Sequence, residues 1–196
     1  MRLRKTLPED IEQIIASGDV EAVAQAVARC EVGAYLRGSA YEPRLMHFPA
    51  SEEITDFLLA RGEDINSRDR CERTPIHARV RSRCLDQIPL LIARGGDINA
   101  RDTSDQTALF DVVERFPVAD VEQMIAWGAD PLVAADSRVY GKATLVENVV
   151  CWHNFLDAPR ALAVIRLLLS VGAPVGERVP TALRSMDRMR CTFITH

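Results

Sequence analysis

The chain has 196 residues with 47% hydrophobic and 27% charged residues, a composition typical of a globular domain rather than a disordered or fibrous chain. Its 28 acidic residues exceed its 24 basic ones, which argues against a protein whose main task is to bind nucleic-acid phosphates. No apolar run approaches the roughly 20 residues of a membrane helix, so we expect a cytoplasmic protein that binds no membrane. We expect a single domain over residues 1–196.

The first predicted unit, residues 8–33, is an N-terminal cap of two short helices. Apolar residues in IEQIIASGDVEAVAQAVARC fall at helical spacing on both sides of a break at Gly18 and Asp19. The next unit, residues 34–66, has a predicted helix in SEEITDFLLARG, with Ser51 as its N-cap. The segment YEPRLMHF before it matches a first helix poorly, and its register stays open.

A repeat of 33 residues organises the middle of the chain. The segment ARGEDINSRD returns 33 residues later as ARGGDINARD, and shorter copies follow as WGADPL and SVGAPV. A second landmark, TPIH from Thr74, returns after the same 33 residues as TALF from Thr107. A fixed period indicates that each unit buries its apolar face against the next one.

The third unit, residues 67–100, has a direct physical explanation, and the fourth, residues 101–134, repeats its pattern. Thr74 and Pro75 predict a helix start, because the hydroxyl accepts a free backbone N–H and proline fits the first helical position. Gly95 supplies the left-handed residue that ends the second helix. Asp97 and Asn99 then favour a turn in which their side chains bond nearby backbone.

The fifth unit, residues 135–176, carries two insertions. Roughly three extra residues fall in the hairpin SRVYGK, and roughly eight fall between the helices in NVVCWHNFLDAP, which we expect to form a loop. Residues 177–196 have room for one helix and a short tail, which predicts a C-terminal cap helix.

The 33-residue period, with TPIH opening one helix and LLIARGGD ending another, resembles the ankyrin repeat from about residue 8 to 191. The resemblance implies an all-α fold, an ankyrin-repeat α-solenoid of stacked helix-turn-helix units joined by β-hairpin-like loops. It also implies that His77 is a structural residue. Partners of such proteins usually meet the hairpin tips and first helices, which form a concave face.

No arrangement of residues points to catalysis. GxSxG, GxxxxGK and GxGxxG motifs are absent, and His77 has no common zinc spacing to Cys71 or Cys84. We therefore expect no enzyme, no cofactor and no metal. The five cysteines form no CxxC pair, which favours free thiols in a reducing compartment. An enzyme that uses the insertion at 151–155 is the alternative class, and it predicts bound metal or a reactive thiol at Cys151.

The partner-facing positions that the resemblance gives for the third unit are rich in arginine. Guanidinium groups bind carboxylates, so we expect a partner with an acidic patch. Two alternatives stay open: solvated arginines paired with Asp69, Glu72 and Asp102, or a nucleic-acid binder with salt-dependent affinity. The arginines are Arg68, Arg70, Arg73, Arg81 and Arg101.

The same transfer gives weaker candidates in the later units. Tyrosine, tryptophan and arginine are enriched among binding hot spots, so residues 137–157 form a predicted second contact region. The fourth unit offers Ser104, Gln106 and Glu114. The fifth offers Arg138 and Tyr140 in its hairpin, and Trp152 and Phe155 in its inserted loop.

These features predict a non-catalytic protein–protein interaction module that is monomeric when free and binds one specific protein partner. In one version it is a stoichiometric inhibitor, such as an immunity protein against a bacterial toxin. The alternative is an adaptor or secreted effector that engages host proteins. We expect no nucleic acid among its partners, although a fold alone does not fix a function.

Overall fold

The computed structural model describes residues 3–137, 141–152 and 158–176. Over these residues the chain has a mixed α/β fold, 48% helical, with two small two-stranded sheets. The described residues divide into two compact units, one that ends at residue 103 and one that begins at residue 104. The predicted all-α solenoid is therefore wrong, because the chain forms a parallel strand pair in the first unit and an antiparallel strand pair in the second.

The first unit begins with a parallel strand pair that encloses two helices. Strand β1 (Arg4–Thr6) pairs with β2 (Cys30–Tyr35) in an irregular register. Helices α1 (Ile11–Ala16) and α2 (Val20–Val27) lie between them in sequence, which confirms the two predicted helices of the cap. The Asp19 carboxylate accepts the first free N–H groups of α2, so the predicted break has a defined cap.

The second predicted unit has a short first element and a regular helix. A 3₁₀ turn (Leu45–His47) precedes helix α3 (Glu52–Ala60). The Ser51 hydroxyl accepts the Ile54 N–H at 3.3 Å, which confirms the predicted N-cap. The first element is one 3₁₀ turn rather than an α-helix, which explains why its sequence matched a helix poorly.

The third predicted unit contains helix α4 (Pro75–Arg81), a 3₁₀ turn (Leu85–Gln87) and helix α5 (Ile88–Ala93). The Thr74 backbone N–H donates to His77 Nδ1 at 3.2 Å, and the Thr74 hydroxyl lies 3.0 Å from the same nitrogen. Gly95 follows α5 with φ of 91°, which confirms the left-handed residue expected there. His77 is buried and has a structural role, as expected.

The second unit contains helices α6 (Ala108–Arg115) and α7 (Val118–Ala126), strands β3 (Ala134–Ser137) and β4 (Gly141–Thr144), and helices α8 (Leu145–Trp152) and α9 (Ala158–Ser170). Strands β3 and β4 are antiparallel, with Ala134 opposite Thr144. Helix α8 continues through Trp152, so this part of the predicted inserted loop is helical. The predicted C-terminal cap helix lies outside the described residues.

Three buried or half-buried arginines stabilise the ends of helical segments in the two units. The last carbonyl groups of a helix have no partner within it, and a guanidinium group can donate to two of them at once. Arg79 is 1% exposed, and burial lowers its pKa to about 10. The bonds run from Arg61 to Val27 (3.2 Å), from Arg79 to His47 (3.0 Å), and from Arg160 to Val113 (2.9 Å) and Phe116 (2.8 Å).

The core of each unit consists of aliphatic side chains from its helices. Ile54, Ile88 and Leu91 are buried in the first unit, and Leu109 and Val164 are buried in the second. Among the described helices, none is long and apolar enough to cross a membrane.

Candidate protein-binding surface

An exposed tyrosine lies among the arginines that the sequence singled out. The Tyr41 side chain belongs to a residue that is 42% exposed, and Arg73 Cζ lies 4.8 Å from the centre of its ring. Arg81 Cζ lies 5.7 Å from the same centre. Both distances are within the range of a cation–π interaction. The Arg70 backbone N–H also donates to the Tyr41 carbonyl at 2.9 Å, and we call Tyr41, Arg70, Arg73 and Arg81 the Tyr41 cluster.

The turn that carries Arg70 and Arg73 is fixed by a buried carboxylate. Asp69 Oδ1 accepts the backbone N–H groups of Cys71 at 2.7 Å and Arg73 at 3.0 Å. Asp69 is buried, so these bonds also satisfy a charge that has left water. Asp69 therefore holds the turn by backbone bonds, and this is a different role from the arginine pairing considered from the sequence.

A buried histidine, His47, links the segment that contains Tyr41 to the segment that contains Arg73. His47 Nδ1 accepts the Arg44 backbone N–H at 3.3 Å, so the proton of the neutral ring lies on Nε2. Nε2 then donates to the Arg73 carbonyl at 2.8 Å. Burial lowers the pKa of His47, so the ring is held in its neutral form. The two segments that form the Tyr41 cluster are thus bonded to each other beneath the surface.

Arg68 and Arg101 are connected to each other rather than to Tyr41. Arg68 Nη1 donates to the Arg101 carbonyl at 2.7 Å and to the Glu72 carbonyl at 2.8 Å. The Glu72 carboxylate is 3.7 Å from the same nitrogen, a weak exposed ion pair. Arg73 is similarly 3.9 Å from Asp102, so pairing with acids accounts for part of the arginine group.

Arg70 and Arg81 are the exposed cations of the Tyr41 cluster. Among the described residues, no side chain forms a hydrogen bond or an ion pair with the Arg70 guanidinium. Arg81 lies in the last turn of α4, where its side chain is exposed. Arg70 and Arg81 are therefore the two arginines of the Tyr41 cluster that are exposed.

The remaining predicted residues fall elsewhere. Ser104, Gln106 and Glu114 belong to the second unit, where Glu114 Oε1 accepts the Asn148 side-chain N–H at 2.9 Å. Trp152 is the last residue of α8. Arg138, Tyr140 and Phe155 lie outside the described residues.

A groove of about 630 Å³ adjoins the Tyr41 cluster within the first unit. It lies between strand β2 and the loop 62–72, and both Glu42 and Arg70 line it. Sequence reasoning missed Tyr41, Glu42 and the groove. The signal that could have found them is RLMH at 44–47, which takes the place of TPIH at 74–77 and sets the register of the second predicted unit.

Three cysteines lie in the part of the chain whose side chains the structure describes. Cys30, Cys71 and Cys84 are free thiols, and burial raises the pKa of Cys30. A raised pKa lowers the fraction of reactive thiolate. No group of three or more His, Cys, Asp or Glu side chains that could hold a metal ion occurs in the part of the chain that the structure describes.

Comparison of the sequence with models of known protein families gives no match. Comparison with curated proteins gives no match either. The resemblance to ankyrin repeats therefore stays a prediction from the sequence.

Proposed function

We propose that this chain is a non-catalytic protein-binding module, related to ankyrin-repeat proteins, that recognises one protein partner through the Tyr41 cluster. The observation that supports the proposal best is the exposed Tyr41 ring with Arg73 and Arg81 within cation–π distance. Tyrosine and arginine are the residue types most enriched in binding hot spots, together with tryptophan.

The chemistry of the cluster favours an acidic partner. Arg70 and Arg81 offer exposed guanidinium groups, which form bidentate bonds to carboxylates. The hydrogen bonds of Asp69 and His47 hold the surrounding backbone in place, so binding costs little conformational entropy at this surface. A rigid cationic surface of this kind suits an acidic patch on a folded protein or an acidic segment.

We further propose that the module acts by covering its partner's surface, as a stoichiometric inhibitor does. An immunity protein that blocks a bacterial toxin works in this way. The alternative is an adaptor or secreted effector that engages host proteins. The identity of the captured partner separates these two possibilities.

The test is an affinity capture from native lysate with wild type and with Arg70→Glu/Arg81→Glu. Arg73 is kept because its side chain is only 18% exposed and its replacement would disturb the fold. The control is Arg4→Glu/Arg29→Glu, which makes the same change of charge at exposed residues outside the cluster. Circular dichroism checks that each variant keeps its helices.

We expect one protein that wild type and the control variant capture and that the cluster variant loses. Capture of the same protein by the cluster variant would show that the cluster is not the binding surface. Salt-dependent binding of random oligonucleotides, lost in the cluster variant, would instead favour the nucleic-acid alternative.

A further inference from the structure

We propose that the groove beside the Tyr41 cluster binds a basic side chain, lysine or arginine, of the same partner. The inference rests on the proposed function, because it assigns the partner's acidic residue to the Tyr41 cluster and an adjacent basic residue to the groove. The recognised segment would then carry both charges side by side.

The size and walls of the groove fit a long side chain. Its volume of about 630 Å³ falls within the range of small ligand sites. Val32 lines it and is 55% exposed, so an apolar contact is available at the surface. Lysine and arginine side chains combine an apolar stem with a charged end, and they need both an apolar wall and an acidic one.

The charges that line the groove are mainly negative. Its three guanidinium groups belong to Arg44, Arg68 and Arg70. Arg44 donates to the Arg68 and Gly33 carbonyls, which fixes it in the wall. Its five carboxylates belong to Glu42, Glu63, Asp64, Asp69 and Glu72.

Two of these carboxylates are already engaged inside the protein. Glu63 is 4% exposed, pairs with Arg61 and accepts the Gly33 N–H at 2.9 Å. Asp69 accepts two backbone N–H groups, as described above. Neither is open to a ligand.

The other three carboxylates remain open at the groove. Among the described residues, none forms an ion pair with Glu42, and Glu72 has only the 3.7 Å contact to Arg68, with its side chain 57% exposed. Asp64 is exposed and accepts one backbone N–H, from Asn66 at 2.9 Å. Five carboxylates against three guanidinium groups give the lining an excess of negative charge, which favours a cation.

The groove is continuous with the Tyr41 cluster. The acidic and the basic residue of the partner therefore belong to one segment of the partner chain. Glu42 follows Tyr41 in the chain, and Arg70 both lines the groove and bonds the Tyr41 carbonyl. A partner segment whose carboxylate binds Arg70 therefore borders the groove, because Arg70 is part of the groove lining.

The test measures fluorescence anisotropy of labelled peptides with the full chain. The mixed peptide has four glutamates and four lysines separated by two glycines, and it is made in both orders. In the acidic peptide serine replaces every lysine, and in the basic peptide serine replaces every glutamate. The variants are Glu42→Gln/Glu72→Gln and Glu42→Gln alone, with the exposed pair Glu9→Gln/Glu12→Gln as the control.

We expect one order of the mixed peptide to bind wild type about tenfold more tightly than the acidic peptide. The double Gln variant should lose this advantage and bind the acidic peptide as well as wild type does or better, while the control variant matches wild type. Equal binding of mixed and acidic peptides to wild type would overturn the groove assignment and leave the proposed function standing. Binding of the basic peptide alone, lost in the double variant, would support the groove and contradict the proposed function.

Discussion

Tyr41 is held by contacts that come from distant parts of the first unit. Arg73 stacks on its ring, Arg70 bonds its carbonyl, and His47 bonds the carbonyl of Arg73. The residue is therefore exposed and fixed at once, which is the property expected of a binding anchor. Its position depends on the neutral His47 ring, and this dependence can be measured.

His47 should make the stability of the protein sensitive to mild acid. Burial lowers the pKa of His47 in the folded protein, while the same side chain in the unfolded chain has a pKa of about 6.5. The unfolded state therefore binds more protons below this pH. The contribution of His47 to stability is complete above about pH 6.5 and is lost as the pH falls towards the folded-state pKa. Urea unfolding of wild type and His47→Gln between about pH 7 and 5 should show a shallower decline for the variant. Parallel declines would contradict this role for His47.

The first helices of the third and fourth predicted units, α4 and α6, begin at equivalent threonines with different surroundings. The Thr74 hydroxyl lies 3.0 Å from His77 Nδ1, and Thr74 is buried. At the equivalent of His77 stands Phe110, which offers no acceptor, and the buried Thr107 hydroxyl has no hydrogen-bond partner among the described residues. The Thr74 hydroxyl therefore stabilises the start of α4, whereas the Thr107 hydroxyl loses its hydrogen bonds to water on folding and gains none in return.

This difference predicts opposite tolerance to the same substitution. Thr74→Val should lower the free energy of unfolding by about 1 kcal/mol or more, because it removes a cap. Thr107→Val should change it by less than about 0.5 kcal/mol, because the hydroxyl it removes has no partner. Urea unfolding monitored by circular dichroism gives both values. A larger loss for Thr107→Val would mean that its hydroxyl contributes a bond after all.

In the whole molecule, stability depends on small aliphatic cores. Leu91 in α5 is 1% exposed, and Leu91→Ala should lower the free energy of unfolding by about 2 to 5 kcal/mol through lost burial and a residual cavity. Leu162 in α9 is 48% exposed, and Leu162→Ala serves as the control with an expected loss below about 1 kcal/mol. Thermal and urea unfolding measure both variants, and similar losses would contradict the assigned core.

Much of the helical content follows from local sequence signals. Ser51, Thr74 and Gly95 mark helix boundaries that the structure confirms, because caps depend on neighbouring residues. Strand β1 has only three residues and pairs with a segment more than 20 positions away, so no local periodicity reveals it. The fold class was mistaken for this reason.

The candidate site was only partly visible in the sequence for a related reason. The arginines at 70, 73 and 81 stand close together in the chain, whereas Tyr41 joins them only through the register of the preceding unit. That register depends on Arg44 and His47 forming the bond that Thr74 and His77 form later. Arg44 stands where the later unit has Thr74, so the sequence alone did not show that the two positions are equivalent.

The division into two units gives the chain a natural optical reporter. Both of its tryptophans, Trp127 after α7 and Trp152 at the end of α8, belong to the second unit, whereas the Tyr41 cluster belongs to the first. Tryptophan emission of the free protein therefore follows the second unit alone during unfolding. A tryptophan in the proposed partner would add, at the Tyr41 cluster, an emission signal to a unit that has none of its own.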